Sequence, residues 1–319
     1  MGEDNGDKMI ITILLLLAVS SVSFAQSDPG SFARIGLNAR GMSLGNSISA
    51  LTSGDVYTYY NPALASFQTG GSVAASVALL SLDRQLNVLT YTTGLRPSAG
   101  LSVGIINGTV SNIDGRDADG NHTSDLSTSE NLFYFSFSNQ FSDGLSLGLS
   151  LKLYYYRLYS GISATSPGFD FGGLYKATDY LSVALVVTDI GEQYHWDSSS
   201  LYGTDGTNFI TPFPHVFKIG ASYQLPLINS SISAEYDIST SSSLTGLGAG
   251  IEVHPIDAIS IRGGFSAGNQ QYVGTQVAPS FGFGAKVSFL DIAPEINYAY
   301  VVEPFSPYGI QTISINFRI

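Results

Sequence analysis

Apolar and polar residues alternate along most of this chain. The clearest segment is 145–153, in which leucine occupies every second position. A period of two indicates a β-strand with one apolar face, because successive side chains of a strand point to opposite sides. The last residues, 312–319, show the same alternation, and a strand that ends a long ladder must pair or leave an open edge. Pairing with the first strand removes that edge and predicts a closed barrel.

The alternation predicts fourteen strands, and several are close to the roughly ten residues with which a tilted strand crosses a bilayer. Their ranges are 72–81, 86–95, 99–107, 131–141, 144–156, 168–175, 180–188, 214–225, 231–238, 246–254, 257–266, 279–289, 292–300 and 310–319. The fold class predicted is therefore all-β, a transmembrane antiparallel β-barrel of about fourteen strands.

The connections between these strands alternate between short and long. Short ones include 96–98 and 226–229, whereas long ones include 108–130 and 189–213. The first connection, 82–85, is short where a long one is expected. Outer-membrane barrels have short periplasmic turns and long outer loops, and an even number of strands leaves both termini in the periplasm. The pattern thus predicts an integral protein of a Gram-negative outer membrane.

Composition agrees with this setting. Only 12% of the residues are charged, about half the usual share, so outer-membrane lipid is the expected surrounding. The mean hydropathy of +0.18 is low for a helical membrane protein, as expected where only every second residue faces lipid. The net charge of −12 leaves no basic patch for nucleic acid, and the absence of cysteine excludes disulfides and cysteine-based zinc sites.

The N-terminal residues do not follow the strand pattern. Residues 1–25 contain a short apolar stretch and small residues before Gln26, which predicts a secretory signal peptide. Residues 26–70 are then expected to form an N-terminal segment that plugs the lumen or hangs in the periplasm. Their glycine and alanine content favours tight packing inside the barrel, which spans 71–319.

Two short motifs in this segment, here called the hatch motif, resemble a known family. The motif residues are Arg40, Gly41, Met42, Gly45, Asn61, Pro62 and Ala63. They are similar to the N-terminal signature of the PorV/PorQ family, relatives of the fatty-acid transporter FadL. The resemblance implies a fourteen-stranded barrel with an N-terminal hatch, without enzymatic activity or cofactor. It also implies an association with type IX protein secretion and with exported proteins. The alternatives are a FadL-like transporter for hydrophobic small molecules and a purely structural barrel.

Charged residues on the barrel strands fall on one face when the apolar positions are taken to face lipid. They are Lys152, Lys218, Glu235, Asp237, Glu252, Arg262, Lys286, Glu295 and Arg318. A charge on the lipid face costs about 2–4 kcal/mol for Arg or Lys at the midplane, so these side chains are expected in the lumen. Both signs occur on neighbouring strands, which predicts cross-strand ion pairs that hold the hatch, with Arg34, Arg40 and Asp55 as partners. A substrate path is the alternative.

Aromatic residues cluster in the longest connection, 189–213, at Tyr194, Trp196, Tyr202 and Phe209. Tyr and Trp are favoured anchors in protein recognition, so this partner loop is predicted to bind an exported protein, with lipid headgroups as a competing ligand. The four histidines lack metal-ligand spacing, and 117–128 lacks the glycine and glutamate of a calcium loop. No metal site or catalytic residue is therefore predicted.

Overall fold

The computed structural model describes residues 28–240, 245–270, 274–287, 293–304, 306 and 308–319. The predicted signal peptide, 1–25, and the predicted short connection at 290–291 lie outside the described residues. The strands are β1 (Gly71–Leu80), β2 (Arg84–Leu95), β3 (Ala99–Arg116), β4 (His122–Gln140), β5 (Leu145–Tyr159), β6 (Ile162–Lys176), β7 (Leu181–Ile190), β8 (Gln193–Asp197), β9 (Asn208–Pro212), β10 (Val216–Leu225), β11 (Ser230–Ser239), β12 (Thr245–Ile256), β13 (Ile259–Gln270), β14 (Gly274–Lys286), β15 (Glu295–Val301) and β16 (Ile310–Arg318). The α-helices are α1 (Ser31–Arg34), α2 (Ala39–Ser43) and α3 (Ser199–Tyr202), and 3₁₀ helices cover Pro62–Phe67, Gly203–Asp205 and Pro226–Ile228.

Within the described residues, fourteen strands form one closed antiparallel barrel. Each strand pairs with its neighbours in sequence, and β1 closes the barrel against β16 with Ser72 opposite Arg318. The only interruption in that part of the chain is the pairing of β7 with β10, because β8 and β9 form a separate hairpin between them. The predicted fold class is confirmed.

The two faces of the strands differ as the alternation indicates. Leu147, Leu149 and Leu151 are exposed on the outside of β5, whereas Ser150 and Lys152 are buried on the inside. The same contrast recurs around the barrel, where outward residues are large and apolar and inward ones are small or polar. An outer band of this kind suits contact with hydrocarbon. None of the helices in the described residues is long and apolar enough to cross a membrane.

The connection at 108–130 is much shorter than predicted. Strands β3 and β4 continue beyond the apolar alternation and leave only residues 117–121 between them. A bulge near Asn112, which has a φ of 54°, shifts the register, and the ladder then continues. Backbone hydrogen bonds hold such an extension without an apolar face, so hydrophobic periodicity does not detect it. Asp117 accepts the backbone N–H groups of Asn121 and Asp119, at 2.8 and 3.0 Å, and these donors lower its pKa.

Residues 28–70 fill the interior of the barrel. The α2 helix contacts β13 to β16, and the 3₁₀ helix Pro62–Phe67 contacts β2 to β6. Both helices begin with an asparagine cap, since the side chain of Asn38 accepts the N–H of Gly41 at 2.7 Å and that of Asn61 accepts the N–H of Ala63 at 2.9 Å. These caps let two very short helices form in a segment that has little regular structure.

Candidate functional site

Arg40 of the hatch motif connects the N-terminal segment to the barrel wall. Its Nε and Nη2 donate to the two carboxylate oxygens of Glu252 at 3.0 and 2.6 Å. Its Nη1 donates to the backbone carbonyls of Ser53 and Asp55 at 2.8 and 2.9 Å. The guanidinium is buried, so all these bonds lie away from bulk water. A bidentate, charge-assisted pair of this kind fixes geometry as well as adding energy.

The small residues of the motif allow close packing. Gly45 has a φ of 63°, and a Cβ there would overlap the carbonyl oxygen of Phe265 in β13. Gly41 lies against the phenol of Tyr60. Met42 is buried, and its Sδ accepts the hydroxyl of Thr312 at 3.0 Å. The loop after α2 therefore approaches the wall more closely than any side chain at position 45 would permit.

Asn61 anchors the second half of the segment. Its Nδ2 donates to the carbonyl of Ser49 at 2.9 Å and to that of Gly173 in β6 at 3.3 Å. Pro62 occupies the start of the 3₁₀ helix, and Ala63 is fully buried. Asn61 thus joins two parts of the segment to the barrel wall.

The structure places most of the predicted luminal charges in ion pairs. Lys218 contacts Glu235 at 3.2 Å and Asp237 at 3.6 Å. Arg262 contacts Glu252 at 2.6 Å and Glu295 at 3.1 Å. The three residues expected as hatch partners also lie in pairs, which are Arg34–Asp189, Arg40–Glu252 and Arg318–Asp55. Lys286 differs, because it is exposed near the barrel end that carries the short turns.

Lys152 has buried partners outside the set of luminal charges predicted from the sequence. It donates to Asp170 at 2.8 Å and to Asp189, and Glu192 lies 3.7 Å away. The three carboxylates could surround a cation, but the Lys152 ammonium already supplies a positive charge among them. The sequence indicates that Asp170 faces the lumen, because it alternates with two phenylalanines. Asp189 lies at a bulge with a φ of 61°, which no periodicity reveals.

A luminal cavity of about 380 Å³ lies between the N-terminal segment and the barrel end at which residues 302–304 follow β15. We call that end the loop end, and the end with turns 96–98 and 226–229 the turn end. The apolar lining of this loop-end cavity includes Met42, Tyr59, Tyr60, Val216, Val301 and Ile310. Its charged lining is Arg34, Lys218, Glu235, Asp237 and Glu303. The cavity combines a largely apolar wall with a few fixed polar groups, as small-molecule sites do.

A second, polar cavity of about 460 Å³ lies at the turn end. It is lined by residues that include Arg40, Gln224, Asp257, Lys286 and Arg318. Residues of the N-terminal segment line both cavities and lie between them. A molecule that passes from one cavity to the other through the lumen therefore meets this segment.

The structure divides the predicted partner loop into a buried and an exposed half. Tyr194 and Trp196 of β8 are only 1% and 7% exposed. Their rings contact Tyr156 at centroid distances of 5.7 and 5.4 Å. Tyr202 and Phe209 are 64% and 53% exposed. Alternation along β8 turns the rings of Tyr194 and Trp196 towards the barrel, so of the four residues only Tyr202 and Phe209 are exposed to a partner. Binding of an exported protein by this loop stays a prediction.

No protein-family model and no curated protein sequence matches the chain. Solved structures do match. The toluene transporter TodX of Pseudomonas putida aligns with a TM-score of 0.60 and 15% identity, over 88% of this chain and 96% of that one. The CymD monoaromatic hydrocarbon channel gives a TM-score of 0.63 and 13% identity, over 89% and 96%. A Pseudomonas aeruginosa FadL homologue gives 0.58 and 11%, over 88% and 98%.

These similarities cover nearly the whole length of each chain. At identities of 11–15% they show a shared fold, namely the closed fourteen-stranded barrel of the FadL-type channels. The implied FadL-like fold is thus confirmed, whereas none of the comparisons identifies the PorV/PorQ family itself.

Proposed function

We propose that this protein is a non-enzymatic outer-membrane channel for hydrophobic small molecules. The observation that carries the proposal is the largely apolar cavity inside a closed barrel, bounded on one side by the N-terminal segment. The exposed apolar belt of the strands supports a membrane setting, since it would otherwise face water. Two of the similar structures are a toluene transporter and a monoaromatic hydrocarbon channel, which favours the transporter alternative.

The orientation proposed follows from the connections. The loop end faces outward and the turn end faces the periplasm, as in barrels with long outer loops. The chain begins β1 and ends β16 at the turn end, so both termini are proposed to be periplasmic. Ligand enters the loop-end cavity first and leaves when the N-terminal segment shifts.

Two matched glycine variants test this proposal. Gly268 and Gly263 both lie on β13, and a Cβ at either position meets no atom within 4 Å. Gly268 lines the loop-end cavity. Gly263 lies on the opposite face of β13 and faces outward, as Ile261 does. Gly268→Trp should fill the cavity, and Gly263→Trp should only add an apolar ring to the outer belt.

Toluene is a suitable probe in cells that express each variant. We expect uptake with the unmodified chain and with Gly263→Trp, and its loss with Gly268→Trp. Unboiled gel migration checks that both barrels are folded. Equal uptake by both variants, or no uptake by the unmodified chain beyond cells that lack it, would refute the channel.

A second candidate is a PorV/PorQ-like role in type IX secretion, in which the loop end engages an exported protein. An exposed apolar group on the β8–β9 hairpin and its connection supports it, composed of Leu201, Tyr202, Phe209 and Ile210. Under this candidate, Tyr202→Ala with Phe209→Ala should abolish copurification of an exported protein and leave toluene uptake unchanged. Lost uptake with unchanged copurification would argue for the channel instead.

A further inference from the structure

The loop-end cavity is lined by more acidic than basic side chains. Lys218 lies opposite Asp237 in the pairing of β10 with β11, and Glu235 precedes Asp237 by two residues in β11. The ammonium contacts Glu235 at 3.2 Å and Asp237 at 3.6 Å. One ammonium thus faces two carboxylates, and this group carries a net charge of about −1 when all three are ionised.

Both carboxylate oxygens of Glu235 are engaged by other groups of the protein. Its Oε2 accepts the backbone N–H of Ser49 at 3.1 Å, and its Oε1 accepts from Lys218. Only 3% of its side chain is exposed. Asp237 is different, because 33% of its side chain is exposed and it lines the cavity. Gly246, its partner on β12, leaves space beside it. Asp237 is therefore the carboxylate that a ligand in the cavity meets.

The cations that line the cavity are already engaged. Lys218 is held by its two carboxylates, and Arg34 contacts Asp189 at 3.1 Å and the Pro29 carbonyl at 2.9 Å. The remaining lining acid, Glu303, is balanced by Arg84 at 3.0 Å. Among the described residues that line the cavity, no uncommitted cation is thus present to pair with a ligand carboxylate. A buried, unpaired anion is strongly disfavoured, and a second anion beside Asp237 adds repulsion.

We infer that the cavity admits uncharged apolar molecules, favours those that carry a hydrogen-bond donor or a positive charge, and rejects carboxylates such as fatty-acid anions. This inference rests on the proposed channel function and narrows its substrate class. The apolar wall takes the body of the ligand, and Asp237 accepts a hydrogen bond from its hydroxyl or ammonium group.

Three probes of matched size test the selection. Benzyl alcohol, benzylamine and benzoate share one ring and are neutral, cationic and anionic at neutral pH. Their binding to the full chain in detergent can be measured by saturation-transfer NMR. We expect benzylamine and benzyl alcohol to bind at least about tenfold more tightly than benzoate, since a hydrogen bond to a charged group has about this effect. Gly268→Trp should remove the binding of all three.

Asp237→Asn tests the residue itself. Benzylamine should then bind about tenfold more weakly and lose its preference over benzoate, because the amide keeps the shape and removes the charge. Asp237→Glu should keep the preference. Asp257→Asn is the control, since Asp257 lines the turn-end cavity instead.

The outcomes separate this inference from the channel itself. Equal binding of benzoate and benzylamine, or an unchanged preference in Asp237→Asn, overturns the inference and leaves the channel intact. Absence of binding for all three probes while toluene uptake persists also overturns it. If neither toluene nor any of the three probes is taken up or bound, both the channel and its selectivity fail.

Discussion

Replacing Arg40 by Met should loosen the N-terminal segment without unfolding the barrel. Arg40 makes two charge-assisted bonds to Glu252 and two bonds to the carbonyls of Ser53 and Asp55. Met keeps much of the side-chain volume and loses all four bonds. Breaking a buried ion pair costs about 3–5 kcal/mol when the partner is left unpaired. Here Glu252 retains Arg262 at 2.6 Å, so we expect a cost at the lower end, about 3 kcal/mol.

That free energy determines how often the N-terminal segment is expected to leave its place in the lumen. A loss of about 3 kcal/mol shifts the equilibrium between seated and released segment by about a hundredfold. The Arg318–Asp55 pair and the bonds of Asn61 remain, so the seated state should still dominate. Planar-bilayer recordings of Arg40→Met should therefore show brief openings that are rare in the unmodified protein.

The control is Arg116→Met, which removes an exposed cation that contacts Asp114 in the β3–β4 extension. Exposed pairs contribute little, so its recordings should match the unmodified protein. Recordings of Arg40→Met that also match the unmodified protein, with the barrel folded on unboiled gels, would refute the view that this ion pair secures the segment. A barrel that fails to form at all would show that the pair stabilises the wall rather than the closure.

Three further predictions address packing and orientation. Gly45→Ala should lower the temperature at which the barrel unfolds on gels, because its φ of 63° and the Phe265 carbonyl leave no room for a Cβ, whereas Gly263→Ala should not. Trp196→Ala should cost about 3–5 kcal/mol locally and increase protease cleavage of the β8–β9 hairpin, while exposed Tyr202→Ala should leave cleavage unchanged. A tag inserted at Gly120, which is exposed between β3 and β4, should be reached on intact cells; a tag reached only after the outer membrane is broken would reverse the proposed orientation.

The sequence by itself predicted the barrel and the phase of its strands. Leu147, Leu149 and Leu151 alternate with small or polar residues, and that alternation persists because each face of the wall has a different environment. The lumen positions of Lys152, Glu252 and Arg262 follow from the same phase. A local pattern suffices for these conclusions because the direction of a strand side chain depends only on its position in the strand.

Tertiary structure decided which groups meet. Arg40 and Glu252 are 212 residues apart in sequence, and Arg318 and Asp55 are 263 apart. No local pattern specifies such pairs, because closure of the barrel and the path of the N-terminal segment bring them together. The same holds for Asp189, which reaches Lys152 through a bulge, and for Trp196, which the hairpin turns inward. The cavity and its charges arise from these long-range contacts, so its ligand class could be inferred only from the folded chain.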